Sequence, residues 1–118
     1  MQYLMLIYHD EGRWEALAET EREKMYAGYR GLREELQTAG KFLGGNQLQP
    51  TSTATTVKVR NGKSGVTDGP FAETKEQLAG YFLVEAKNLD DALAIAARIP
   101  SAATGSIEVR PVVMRSAG

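Results

Sequence analysis

Tyr3-Leu4-Met5-Leu6-Ile7-Tyr8 is the stretch on which the fold turns. In an extended chain Tyr3, Met5 and Ile7 point to one side and Leu4, Leu6 and Tyr8 to the other. A strand that is apolar on both sides has to be covered twice, so residues 2–8 are predicted to form a central strand. Residues 79–86 repeat the pattern, with Tyr81 and Leu83 opposing Phe82, Val84 and Ala86. Both strands need material above and below them.

Two helical patterns supply half of that cover. Met25, Tyr29, Leu32 and Leu36 recur at spacings of four, three and four, one stripe at 3.6 residues per turn. Thr20 with Glu23 three residues on reads as the capping box that opens this helix, and Gly40 ends it. Arg13 to Ala18 is expected to form a short helical piece before it. Asn88 with Asp91 resembles a second box, followed by Leu89, Ala92, Leu93, Ala96 and Ile99, with Pro100 as the stop. Between the helices, residues 42–50 read as a weak strand broken at Gly44-Gly45. Residues 53–60 alternate as a strand with one buried face, and Asn61-Gly62 makes the tight turn into a returning strand. Ile107, Val109 and Pro111 alternate with Glu108 and Arg110 in a closing strand, and residues 116–118 are expected to fray.

Strand, helix, weak strand, hairpin, strand, helix, strand is the order of an α+β, ferredoxin-like two-layer sandwich: a mainly antiparallel sheet with two main helices on one face. The chain of 118 residues is the size of one domain, read here as 1–118. With no third helix to shield the second sheet face, another copy of the chain is the simplest lid, and a homodimer packed sheet to sheet is predicted.

Composition narrows the function. Hydrophobic residues at 42% and charged residues at 25% are ordinary globular usage, which excludes disorder as the main state. Fourteen Lys plus Arg against fifteen Asp plus Glu disfavours direct nucleic-acid binding. The absence of Cys removes thiolate catalysis and Cys-based zinc sites, and a single His removes multi-histidine metal sites within one chain, so neither metal nor cofactor is expected. No apolar run approaches the roughly 20 residues of a membrane span, and the start does not read as a signal peptide, so a cytosolic location is expected.

Ionisable groups and turn formers concentrate in Val66-Thr67-Asp68-Gly69-Pro70-Phe71-Ala72-Glu73-Thr74-Lys75-Glu76. Asp68 reads either as an Asx-type turn residue, with Phe71 anchored in the core, or as a carboxylate held at a pocket mouth with Glu73 and Lys75 beside it. His9, where a buried strand ends, is the candidate base, with Asp10, Glu11 or Asp68 to orient it. Arg110 is a candidate clamp for an anionic ligand, and Tyr81 a candidate hydrogen-bond donor. Each has a bland alternative: a loop, a surface ion pair, or a core or interface aromatic. The glycines match no phosphate loop.

Asp68-Gly69-Pro70-Phe71-Ala72-Glu73-Thr74-Lys75-Glu76-Gln77-Leu78, followed by Gly80-Tyr81-Phe82, closely resembles the signature of the DGPF proteins of the YCII-related superfamily. Tyr3 to Tyr8, Leu43-Gly44-Gly45, Leu48-Gln49-Pro50, Asn88 to Leu93 and Ile107 to Val112 are similar in the same order, so the resemblance spans nearly the whole chain. It implies a dimeric ferredoxin-like fold, bacterial origin and association with a sigma factor of the extracytoplasmic-function type. Some relatives are enzymes acting on small aromatic or lactone-like substrates, for which a His-Asp pair has been proposed as the active site. There the histidine falls near the start of the first helix. Here residues 14–33 contain no His, so that role has no matching position; only Asp68 has a counterpart, and His9 would be a substitute. Three readings follow: a dimer that binds a small molecule, an acid-base enzyme for elimination or isomerisation of a small aromatic, keto or lactone substrate, or a purely structural partner.

Overall fold

The doubly apolar stretches pair with each other. In a computed structural model, which describes residues 1–115, β1 (Gln2–His9) lies between β5 (Gln77–Glu85) and β6 (Ser106–Pro111). β2 (Phe42–Gln47) adds to the other side of β5, giving the order β2-β5-β1-β6 with every pair antiparallel. This is the predicted ferredoxin-like arrangement, an open sheet in the single chain and not a closed barrel.

Tyr3, Met5 and Ile7 of β1 and Phe82 and Val84 of β5 point towards the helices and are buried, with Met5 and Val84 at 0% exposure. α2 (Glu19–Thr38) contributes Leu32 and Leu36, with Tyr29 packed against them, and α3 (Leu89–Ala96) contributes Ala92, Ile95 and Ala96. Leu4, Leu6, Tyr81 and Leu83 face away from the helices and stay half-buried. That uncovered second face is the one anticipated from the pattern.

Three local expectations are corrected. α2 starts at Glu19 behind Ala18, not behind Thr20, and makes no side-chain cap. α1 (Glu11–Ala16) precedes it so closely that the Arg22 guanidinium reaches back to the carbonyls of Trp14 and Glu15, at 3.3 and 3.2 Å, and fixes the junction. On α3 the buried stripe is rotated: Leu89 and Leu93 are exposed while Ile95 is buried, because the helix rolls its small residues onto the sheet. Asn88 does cap it, accepting from the Asp91 N–H at 2.9 Å.

The third correction concerns the hairpin. β3 (Thr55–Arg60) and β4 (Lys63–Asp68) pair through the turn at Asn61 and Gly62, both at positive φ, as expected of a two-residue loop. They form a separate two-stranded sheet, so no face of it is buried within the chain: Val57, Val59 and Val66 are exposed. Phe71 is 83% exposed and does not anchor in the core. The expected fraying of 116–118 lies outside the described residues.

Candidate functional site

His9 points to the helix side of the sheet, as Ile7 does two residues earlier, and its ring stacks on Trp14 of α1 with centroids 5.3 Å apart. Asp10 sets this up. As N-cap of α1 it accepts from the Arg13 N–H at 3.1 Å, which turns the chain directly from β1 into the helix that carries Trp14. Tyr26 meets Trp14 edge-on at 5.6 Å, and Tyr29 meets Phe82 edge-on at 6.0 Å. The tyrosines, three residues apart, extend one wall along α2.

Behind these rings is a cleft of about 320 Å³ between α2 and the β1, β2 and β5 strands. Its floor is β-sheet made thin by glycine. A Cβ on Gly45 would sit 2.8 Å from the Phe82 ring and the Tyr81 carbonyl, and one on Gly80 would sit 2.7 Å from the Asn46 carbonyl. Opposite Ile7 and Tyr8, β5 carries one extra residue, so that Ala79 joins Gly80 in the cleft lining. Asn46, Gln47, Ser101, Arg30 and Arg33 complete the polar part of the lining. A second cavity of about 240 Å³ shares His9, Trp14, Tyr26, Gln47 and Ala79, and continues towards Glu11, Arg22 and Leu78.

The polar groups are mostly held. Tyr29 Oη and Ser101 Oγ share a 2.6 Å hydrogen bond, and burial of the phenol raises its pKa above the usual 10.0. The Tyr26 hydroxyl accepts from Gln47 Nε2 at 3.3 Å, which leaves its own proton available. The Glu11 carboxylate accepts from the Thr51 N–H at 3.0 Å, and its own N–H donates to Gln77 Oε1 at 2.9 Å, tying the chain after β1 to the start of β5. Burial lowers the His9 pKa below its ordinary 6.5, outweighing Glu11, Asp10 and Glu76, which pull it up. The imidazole is therefore neutral at pH 7 and presents an acceptor nitrogen.

The residues singled out from sequence are dispersed. His9 is in the cleft. Asp68 ends β4 and is exposed, and the bend after it is held by the Gly69 N–H on the Ala54 carbonyl (2.7 Å) and by Thr56 Oγ1 on the Gly69 carbonyl (2.8 Å). The carboxylates acting on His9 are Glu11, Asp10 and Glu76, and Asp68 is not among them. Glu73 and Lys75 lie on the exposed connection from the hairpin to β5. Tyr81 and Arg110 sit on the uncovered sheet face, where Tyr81 Oη accepts from Asn46 Nδ2 at 2.9 Å and Arg110 stands across from Leu4. The structure thus does not bring Asp68, Tyr81 or Arg110 to His9.

Trp14, Tyr26, Arg30, Arg33 and Ser101 are not singled out by the sequence, and Tyr29 only as part of the apolar stripe. A signal existed on α2: positions 26, 29, 30 and 33 form a Tyr-Tyr-Arg-Arg stripe beside the apolar one. Ser101 had none.

Comparison with known proteins identifies a family and a relative. A family model described as the YCII-related domain matches residues 1–115. A protein of Rhizobium meliloti (strain 1021), Uncharacterized protein R00369, is 38% identical over 120 residues, an alignment that takes in all of this chain and 97% of the relative.

Proposed function

The chain belongs to the YCII-related domain family, and from its aromatic cleft we propose that it is a cytosolic homodimer that binds a small molecule between α2 and the sheet. The observation that carries this reading is the cleft itself. About 320 Å³ lies at the lower end of ligand-site volumes, and the lining combines rings with a few convergent polar groups. Among the described residues no helix is long and apolar enough to cross a membrane. Dimer formation is supported by the half-buried Leu4, Leu6, Tyr81 and Leu83 and by the exposed valines of the hairpin, which a lone two-stranded ribbon does not stabilise. Tyr81 and Arg110 then belong to the contact between subunits. An extracytoplasmic-function sigma factor is the protein partner that the motif resemblance adds to the proposal.

Trp14 is the single tryptophan of the chain, so its emission reports the cleft and the cavities that adjoin it at that ring. Ligands from a panel of small phenols, lactones, amides and carboxylates are expected to change that emission and raise the melting temperature together. Ala79→Phe, which puts a ring into the cleft, should abolish both effects. A panel member that stabilises the protein equally in wild type and A79F would place binding elsewhere. Light scattering that gives a monomer at micromolar concentration would refute the dimer.

One observation favours the enzymatic alternative: a neutral His9 in an aromatic cleft is a competent general base for elimination or isomerisation. Turnover lost in His9→Gln but kept in Asp68→Asn would establish it with His9 as the base.

A further inference from the structure

The charges in the lining of the cleft are unbalanced, although Glu11, Asp10 and Glu76 act on His9 from outside it. Arg30 and Arg33 project from successive turns of α2 into its lining, and no Asp or Glu lines it among the described residues. His9 adds no compensating negative charge. The chain as a whole carries a formal charge of -1, so an acid-free cleft with two guanidinium groups is a local departure.

Nor are these arginines engaged elsewhere. Arg22, about two to three turns earlier on α2, is used on the carbonyls of Trp14 and Glu15, and Arg98 is paired with Glu35. Among the described residues Arg30 and Arg33 form neither an ion pair nor a side-chain hydrogen bond, although Glu34 and Glu35 stand next to Arg33 in sequence. Glu34, four residues after Arg30, shares its side of the helix but makes no ion pair with it among the described residues, and Glu35 is taken by Arg98.

We propose that the ligand of the cleft is a compact organic carboxylate with a flat apolar body, its carboxylate held by Arg30 and Arg33 and its body lodged against Trp14, Tyr26 and Phe82. This rests on the small-molecule reading of the cleft and assigns the ligand class. A guanidinium presents paired donors that match the two oxygens of a carboxylate, and such charge-assisted bonds gain strength where the adjoining surface is apolar and excludes water. The free Tyr26 hydroxyl proton and the acceptor nitrogen of His9 can serve further polar groups on the ring. Inorganic phosphate offers at least as much negative charge with no body to lodge against the rings.

Benzoate, benzamide and inorganic phosphate separate these contributions. In the intact protein, Trp14 emission and melting temperature are followed at low ionic strength for each probe. Benzoate is expected to bind at least tenfold more tightly than benzamide or phosphate, and added sodium chloride should weaken benzoate but not the neutral benzamide. Arg30→Gln with Arg33→Gln changes two exposed helix residues, so the fold is kept, and a far-UV spectrum and unfolding midpoint verify that. In that variant benzoate should fall to the affinity of benzamide, while benzamide is unchanged. Equal binding of benzoate and benzamide to the wild type would overturn the carboxylate assignment and leave the cleft reading intact. Phosphate as tight as benzoate would reduce the site to a general anion site and overturn it equally. If no probe perturbs Trp14, the cleft reading itself fails, and this assignment with it.

Discussion

Breaking the 2.6 Å bond between Tyr29 and Ser101 tests how the cleft is built, because that bond joins α2 to the turn before β6 across 72 residues of chain. Tyr29→Phe leaves the Ser101 hydroxyl, 3% exposed, without its partner. A buried hydroxyl left unpaired costs about 1–3 kcal/mol, so a loss of about 2 kcal/mol is expected. Ser101→Ala instead leaves the phenol on the cleft wall, where solvent can reach it, and should cost only about 1 kcal/mol, the net worth of an ordinary hydrogen bond. The double variant removes both groups, so it should match the larger single loss and fall short of the sum by about 1 kcal/mol. In a domain of this size each kcal/mol moves the melting temperature by about 4 °C. Urea titration followed by far-UV circular dichroism, with an unchanged slope as the check on two-state behaviour, measures all four corners of the cycle. Additivity within about 0.3 kcal/mol would refute the direct coupling, and with it the claim that this bond holds α2 in place.

Two further outcomes follow from single positions. A Cβ on Gly105 would fall onto the Tyr8 carbonyl at the β1–β6 edge, so Gly105→Ala should destabilise by about 3 kcal/mol, whereas Gly31→Ala, in the middle of α2 with open space around it, should stabilise by up to about 1 kcal/mol; equal unfolding midpoints would contradict the packing. For His9 the native pKa is depressed by burial, so its contribution to stability is present above the unfolded value of 6.5 and is lost as pH falls through the lower native value. The stability difference between wild type and His9→Gln should therefore move against the wild type from pH 8 to pH 5, and a flat difference would show that the ring is not held neutral.

The sheet was legible because strand alternation is local. Tyr3 to Tyr8 and residues 79–86 announce two doubly apolar strands before any partner is known, and once they pair with each other the ferredoxin-like order follows from the helices between them. The turn at Asn61-Gly62 and the cap at Asn88 were legible for the same reason: each is decided by residues within four positions of itself. Where local rules competed, sequence misled. Thr20 makes a good cap in isolation, yet Arg22 seals the preceding helix and α2 starts two residues earlier than the box would have it. Phe71 is hydrophobic enough to be a core residue, but it lies on the exposed connection from the hairpin to β5.

Sequence by itself determined the α+β class, the central strands, an apolar sheet face left without cover, and His9 at the end of a strand. Only tertiary structure decided that His9 shares a cleft with Trp14, Tyr26, Arg30 and Arg33, and that Asp68, Tyr81 and Arg110 lie elsewhere. The reason is physical. Periodicity fixes which face of an element a side chain occupies, whereas the company that face keeps depends on crossings between elements tens of residues apart, which no local pattern encodes.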